Sequence, residues 1–188
     1  MNYDPWAVQI RVLEKMLKDR GYSDLRTIGV GVDPSLVFSC QDNDGRFLTA
    51  YVTNETKVGV KSLRKLHSEC KRHGSKHLIL LCPDGLTPFA AKEIEKQDLE
   101  ELDIEIFRKD EMSFCVPRHC LVPPHTPLST SEKKELLCTL GSKASCLPKL
   151  KQTDPVAKYY HYQLGTVVCI RRRIGTLEEE TYFRLVVA

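Results

Sequence analysis

The first predicted element is a helix, because apolar residues recur at helical spacing near the start of the chain. They are Trp6, Ile10, Leu13 and Leu17. Asp4 and Pro5 supply an N-cap followed by a proline at the first helical position, and Gly21 supplies a stop. The pattern therefore predicts an amphipathic helix of about four turns.

A hairpin and a second helix follow. Residues 35–38 and 46–52 are strand-like runs, and residues 41–45 between them are rich in Asp, Asn and Gly, which is typical of a hairpin turn. The apolar spacing then predicts a second helix over residues 60–73, ending at Gly74.

The next segment alternates strands with a third helix. Thr87 and Pro88 are suited to the N-cap and first position of a helix that extends to about residue 98. Three strands are predicted, at residues 77–82, 102–107 and 112–116. The first of them is apolar throughout, which is typical of a strand covered on both faces. Strands interleaved with helices indicate an α/β layer structure.

A cluster of prolines predicts a domain boundary, because proline favours a stiff, extended connector. The prolines are Pro117, Pro123, Pro124 and Pro127. We therefore predict an N-terminal domain over residues 1–116 and a C-terminal domain over residues 117–188.

The C-terminal domain begins with a predicted helix, since Ser129 and Glu132 form a capping-box pattern and Gly141 provides a stop. Asp154-Pro155 repeats the signal of an N-cap followed by proline and predicts a short helix over residues 156–160. Two strands are predicted beyond it, at residues 166–170 and 181–187, with a charged loop between them.

The charge is unevenly distributed between the two halves. Residues 1–117 hold 17 Lys and Arg against 19 Asp and Glu, whereas residues 118–188 hold 11 against 6. A basic C-terminal half indicates either a solvated basic face or an acidic partner surface.

No motif for a cofactor, metal or membrane span is present. The chain has no phosphate-binding loop and no dinucleotide fingerprint, so we expect no cofactor. It has eight cysteines but no C-x-x-C pair, and we expect mostly buried thiols in a reducing compartment. His67, Cys70 and His73 fan around a helix, so we expect no metal site there. The chain has no run of about 18 apolar residues, so we expect no membrane span.

One pattern allows an enzyme. Glu55 and Lys57 form an E-x-K sequence after a predicted strand, with Asp33 and Asp44 upstream. Carboxylates in such a set hold Mg²⁺ in restriction-type nucleases, and the lysine polarises the attacking water. A Mg²⁺-dependent nuclease is therefore the alternative hypothesis.

Taken together, the motifs resemble the shared fifth subunit of eukaryotic nuclear RNA polymerases, whose C-terminal domain is similar to a small subunit of the archaeal enzyme. The C-terminal segments that carry the resemblance are LVPPH (121–125), LPKL (147–150), DPVAKYY (154–160), GTVVCI (165–170) and FRLV (183–186). The N-terminal segments are DRGY (19–22), KVGVKSL (57–63) and GLTPFAAK (85–92). The order of all these segments matches the family.

The resemblance implies a two-domain α/β and α+β chain with no catalytic centre. An N-terminal jaw domain, with a central sheet flanked by helices, would lie beside downstream duplex DNA and make weak, non-specific contacts. Its DNA-facing residues would be Thr87, Pro88 and Lys92. A small mixed-sheet C-terminal assembly domain would dock on the largest polymerase subunit within the multisubunit enzyme. Its docking residues would be Asp154, Pro155, Lys158, Tyr159, Arg172 and Arg184.

The sequence departs from the family in the loop over residues 172–178, where only Arg172 and Thr176 match. His161 stands where the family usually has glycine. The resemblance implies a subunit shared by polymerases I, II and III in the nucleus, or a relative in a viral cytoplasmic factory.

Overall fold

The computed structural model describes residues 6–30, 36–42, 47–95, 102–174 and 178–188. The chain divides into two compact units, Met1–Phe114 and Cys115–Ala188. Each unit contains one mixed sheet, of five strands in the first and four in the second. No helix in the described ranges is both long enough and apolar enough to cross a membrane.

The first unit has three helices and five strands among its described residues. They are α1 (Ala7–Asp19), β1 (Tyr22–Val30), β2 (Leu36–Asp42), β3 (Phe47–Val52), α2 (Val60–Arg72), β4 (His77–Cys82), α3 (Pro88–Glu95) and β5 (Asp103–Arg108). The strand order is β1-β2-β3-β4-β5. The first three strands are antiparallel, and β3, β4 and β5 are parallel.

The core of the first unit lies on both faces of β4, as its uninterrupted apolar sequence predicts. Leu78 and Leu80 pack with Leu66 and Cys70 of α2. Ile79 and Leu81, which alternate with them, are also buried. Arg20, which directly follows α1, bonds to Glu105 of β5, and Glu105 lies opposite Ile79 on this second face. We infer that α1 covers the second face, whereas α2 covers the first.

The second unit has two α-helices and four strands among its described residues. They are β6 (His125–Pro127), α4 (Thr130–Thr139), β7 (Lys149–Lys151), α5 (Pro155–Tyr160), β8 (Val167–Ile174) and β9 (Glu178–Val187). The strand order is β6-β8-β9-β7, in which only β7 and β9 are parallel. The capping box of α4 is confirmed, because Ser129 and Glu132 exchange hydrogen bonds.

The β8–β9 hairpin is longer than the sequence predicts. The region predicted as a charged loop continues both strands, since Arg172 pairs with Glu180 and Arg173 pairs with Glu179 across the ladder. Opposite charges facing each other on two strands stabilise a sheet, which explains how so polar a segment remains extended. The loop prediction is therefore wrong for residues 171–174 and 178–180, the part of this region that the structure describes.

The strand predicted over residues 112–116 is also wrong. Residues 109–114 form turns and bends, and a 3-10 helix follows at Val116–Arg118. The backbone N–H groups of Glu111 and Ser113 bond to carbonyls of Arg108 and Asp110, which curls the chain away from an extended path. Met112 is buried although it lies in no strand.

Three predicted local features lie outside the described residues. They are the Asp4-Pro5 cap of the first helix, the hairpin turn predicted at residues 43–45 and the end of the third helix at residues 96–98. The antiparallel pairing that such a hairpin requires is present, with Gln41 opposite Phe47.

Candidate partner-docking site

A groove of about 470 Å³ opens on the α5 face of the second sheet, and we call it the α5 groove. Its lining combines polar and charged side chains with apolar ones. The lining residues are Leu121, Pro123, His125, Leu150, Asp154, Ile170, Arg172, Tyr182 and Arg184. Three residues predicted to contact a partner, Asp154, Arg172 and Arg184, thus meet in one cavity.

The register of the sheet explains why these residues converge. His125 lies opposite Ile170, and Ile170 lies opposite Tyr182, so the three form one row across β6, β8 and β9. Because side chains alternate along a strand, Arg172 and Arg184 lie on the same face as this row. Residues far apart in the chain are therefore neighbours.

Asp154 positions α5 at the edge of the groove. Its Oδ1 accepts the backbone N–H of Val156 at 2.9 Å and that of Ala157 at 3.5 Å. Pro155 occupies the first helical position, where a missing N–H has no cost. The helix ends at His161, which adopts the left-handed conformation with φ 54°.

The remaining predicted docking residues on α5 differ in exposure. Pro155 is exposed and Lys158 is half-buried, but Tyr159 is only 3 % exposed. The Tyr159 hydroxyl lies 3.1 Å from the Cys115 thiol. In this structure, therefore, Tyr159 packs α5 against its own unit.

Two further tyrosines support the floor of the groove. The rings of Tyr160 and Tyr162 stack with centroids 5.4 Å apart. The Tyr162 hydroxyl donates to the backbone carbonyl of His125 at 3.1 Å, which joins the segment that follows α5 to β6. Burial raises the pKa of Tyr162, so the hydroxyl stays protonated and keeps its role as a donor.

The far wall of the groove is a polar row on β9. The Tyr182 hydroxyl donates to the carboxylate of Glu180, and this hydrogen bond raises the pKa of Tyr182. Arg172 lies opposite Glu180, and its positive charge acts to lower the pKa of Tyr182. Arg184 donates to the carbonyl of Lys149 at 3.2 Å, which holds its guanidinium over β7. The groove thus presents one arginine held by a hydrogen bond, Arg184, a second arginine from the neighbouring strand, Arg172, and the exposed ring of Tyr182.

The predicted DNA-facing residues lie in the first unit, at the start of α3. The Thr87 hydroxyl accepts the backbone N–H of Ala90 at 3.3 Å, as expected of a helix cap. In the sequence of α3, Phe89 directly follows Pro88 and precedes Lys92 by three residues, and Phe89 is 78 % exposed. The sequence alone did not single out this exposed ring.

Two backbone contacts hold the start of α3 to the loop after β3. Val58 donates its N–H to the Gly85 carbonyl, and Thr87 donates to the Val58 carbonyl, each at 3.0 Å. Both loops follow parallel strands of the same sheet, so they meet at its carboxyl edge. The start of α3 is therefore a fixed part of that edge.

Of the four residues of the nuclease hypothesis, the structure describes Glu55 and Lys57. Glu55 and Lys57 lie in the loop after β3 and are exposed. Both carboxylate oxygens of Glu55 accept the Ser62 hydroxyl, at 2.9 and 3.0 Å. Asp33 and Asp44 lie outside the described residues. The structure thus gives Glu55 a local role, because its carboxylate joins this loop to α2.

Cys70 belongs to the core. It packs with Leu66 and Leu78, and burial raises its pKa to about 11. A thiol with this pKa stays protonated at neutral pH and is a poor metal ligand. The expectation of mostly buried thiols is wrong for the second unit, where Cys120, Cys138 and Cys146 are exposed.

Sequence reasoning missed several lining residues of the α5 groove. Leu121 precedes β6, and His125 is the first residue of β6. That strand has three residues and is too short to give an alternating pattern. Tyr182 stands two residues from Arg184 and was a candidate by alternation once that strand was predicted. The missed residues are mostly the apolar ones.

Comparison with known proteins decides the family. The family described as RNA polymerase Rpb5, C-terminal domain, matches residues 114–186. The DNA-directed RNA polymerases I, II, and III subunit rpabc1 of Dictyostelium discoideum is 32 % identical, over 81 % of this chain and 79 % of the relative. The chain belongs to the family of the shared fifth subunit of eukaryotic nuclear RNA polymerases.

Two further relatives extend the similarity over almost the whole chain. The RPABC1 subunits of Caenorhabditis briggsae and Caenorhabditis elegans are 29 % and 28 % identical, each over 98 % of this chain and 96 % of the relative. Among solved structures, the apo form of EndoMS aligns with TM-score 0.39 and 19 % identity, over 57 % of this chain and 48 % of that one. The resemblance inferred from the sequence motifs is thereby confirmed for the fifth-subunit family.

Proposed function

We propose that this chain is a non-catalytic subunit of DNA-directed RNA polymerases, shared by polymerases I, II and III and resident in the nucleus. The observation that carries this proposal is the similarity to RPABC1 subunits over 98 % of the chain. The similarity extends through both compact units, so we propose for this chain the function of a whole subunit and not of one domain.

In this proposal, the second unit docks on the largest polymerase subunit through the α5 groove. Arg172 and Arg184 offer guanidinium forks that suit carboxylates or carbonyls of a partner. Pro155 and Lys158 present the outer surface of α5, and Asp154 fixes where that helix starts. Tyr159 contributes by holding α5 in place, since its ring is buried.

The first unit is proposed to form part of the jaw beside downstream duplex DNA. The start of α3, at Thr87 and Pro88, places the positive end of a helix dipole at the surface, and Lys92 adds a charge one turn later. Residues 1–117 carry 17 basic against 19 acidic side chains. The DNA contact is therefore weak, independent of sequence and supported by the rest of the enzyme.

Co-purification tests the docking role. The tagged chain, expressed in a host whose polymerases incorporate it, is expected to recover the largest subunit, as measured by quantitative mass spectrometry. Arg172→Glu is expected to lower this recovery at least about tenfold, because it places a like charge against an acidic partner group. Lys134→Glu on α4 is the matched control, with the same charge change at an exposed position.

The outcomes separate the parts of the proposal. Failure of the unaltered chain to recover any polymerase subunit contradicts the function itself. Normal recovery with Arg172→Glu contradicts only the docking face. For the jaw role, Lys92→Glu is expected to reduce cross-linking to downstream DNA uniformly across sequences, whereas Lys18→Glu on α1 leaves it unchanged.

A further inference from the structure

The far end of the β8–β9 hairpin extends beyond its neighbouring strand. β8 pairs with β9 along its whole length, from Val167 to Ile174. β6 pairs only with Val168, Cys169 and Ile170, and one further bond joins the Arg171 N–H to the Pro124 carbonyl at 3.2 Å. Within the described part of the second unit, the β6-side edge of β8 is therefore uncovered beyond Arg171.

The direction of the backbone groups on this edge follows from that last bond. Backbone N–H and C=O groups of successive residues point to opposite sides of an antiparallel strand. The Arg171 N–H points towards β6. The backbone N–H and C=O groups of Arg173 therefore also point to the β6 side, whereas the backbone groups of Arg172 point towards β9. Arg173 thus presents one donor and one acceptor at an uncovered strand edge.

Proline explains why β6 does not extend to cover this edge. Pro123 and Pro124 directly precede β6, and neither has an N–H to donate to a ladder. A cavity of about 580 Å³ opens here, and we call it the proline trough. Its lining residues are Cys120, Leu121, Val122, Pro123, Pro124, Thr126, Arg171, Arg172, Arg173 and Glu179.

The arginines along the trough are unequally matched by acidic groups. Arg173 pairs with Glu179, at 3.4 Å between Nε and Oε1. Arg171 lies opposite Thr181, which carries no charge. Arg172 lies opposite Glu180, whose carboxylate accepts the Tyr182 hydroxyl. Among side chains that the structure describes, Arg171 has no carboxylate partner, so the trough favours an anionic occupant.

The apolar wall indicates that the anionic occupant is a protein segment. Leu121 is 83 % exposed, and it lines both the proline trough and the α5 groove. An apolar side chain of a peptide gains free energy by covering such a surface, whereas a phosphate backbone does not.

We propose that an acidic, extended segment of another polymerase subunit adds as a strand beside Arg171–Arg173 of β8. Its main chain bonds to the Arg173 backbone, a carboxylate pairs with Arg171, and an apolar side chain covers Leu121. Strand addition of this kind obtains affinity from the backbone and specificity from alternate side chains. Because Arg172 also lines the α5 groove, the proposal rests on the docking function and specifies the partner element.

Site-specific cross-linking within the assembled polymerase tests this proposal. A photoreactive phenylalanine derivative replaces Thr126, an exposed residue of the trough, and the cross-linked peptide is sequenced by mass spectrometry. The expected product is a segment of another subunit with acidic residues at alternate positions. A cross-link to DNA or RNA, to a second copy of this chain, or to no partner overturns the proposal.

Two pairs of variants then test the geometry. Arg173→Pro removes the edge N–H, whereas Arg173→Ala removes only the side chain, so the cross-link yield is expected to be at least about tenfold lower for the proline variant. Arg171→Glu is expected to lower the yield by a similar factor, and Lys134→Glu is not. If Arg173→Pro fails to fold, the Arg171 comparison decides the outcome, and equal yields overturn the proposal.

Recovery of the polymerase distinguishes this proposal from the docking function. When the chain co-purifies with the largest subunit but gives no cross-link from the trough, only the strand addition fails. When the chain recovers no polymerase, the docking function fails first.

Discussion

Arg20 and Glu105 form a bidentate ion pair between the end of α1 and the middle of β5. The two guanidinium nitrogens lie 2.6 and 2.9 Å from the two carboxylate oxygens. Their side chains are only 4 % and 8 % exposed, and His77 on β4 lies 2.6 Å from the same carboxylate. The pair thereby fixes α1 on the sheet of the first unit.

Arg20→Ala is expected to destabilise the first unit by about 3–5 kcal/mol, because it leaves the Glu105 charge buried without its main partner. Trp6, the single tryptophan, is buried in this unit, so its fluorescence reports the unfolding by urea. Arg11→Ala, at an exposed position of the same helix, is expected to change the free energy of unfolding by less than about 0.5 kcal/mol. Similar values for the two variants would refute the structural role of the pair.

Asp154→Ala is expected to destabilise α5 by about 1 kcal/mol, because the variant cannot accept the N–H groups of Val156 and Ala157. Asp154→Asn retains an acceptor oxygen and is expected to lose much less. Amide hydrogen exchange at Val156 and Ala157 measures the effect locally. Equal exchange in the alanine and asparagine variants would show that the cap is unimportant.

The Tyr182 hydroxyl is expected to titrate above its ordinary pKa, because ionisation would abolish its hydrogen bond to Glu180. A group with a raised folded-state pKa contributes stability below its unfolded pKa, and this contribution disappears as the pH rises through the folded value. Glu180→Gln is therefore expected to lower the pKa of Tyr182 in an ultraviolet difference titration. Tyr182→Phe identifies the part of the signal that belongs to Tyr182, and an unchanged Tyr182 titration after Glu180→Gln would contradict the contact.

His161→Gly is expected to be more stable than His161→Ala by about 1 kcal/mol in thermal or chemical unfolding of the second unit, because glycine at φ 54° is free of the Cβ penalty that alanine bears. Both variants remove the imidazole, so their difference isolates the backbone effect. Greater stability of the alanine variant would mean that α5 ends differently from the conformation described.

Several elements were predictable because their signals are local. The helix cap at Asp154 and the capping box of Ser129 and Glu132 need only neighbouring residues, and both are confirmed. The apolar run of β4 determined a strand covered on both faces. In these places a few consecutive residues supply both the pattern and the hydrogen-bond partners.

Other elements were not predictable because irregular pairing hides them. β1 was missed, and its register to β2 shifts between Ser23 and Arg26 and again between Thr27 and Gly29. Such bulges interrupt the alternation on which strand prediction depends. β6 and β7 have three residues each, which is too short for any period to appear.

The sequence by itself determined the family through its ordered motifs and determined the residues that cap the starts of α4 and α5. Only the tertiary structure decided that Asp154, Arg172 and Arg184 share one groove with Leu121. The physical reason is that sheet order and register bring together residues far apart in the chain, and these depend on the packing of the whole unit. For the same reason, the uncovered edge at Arg173 became visible only once the ladder between β6 and β8 was seen to end at Arg171.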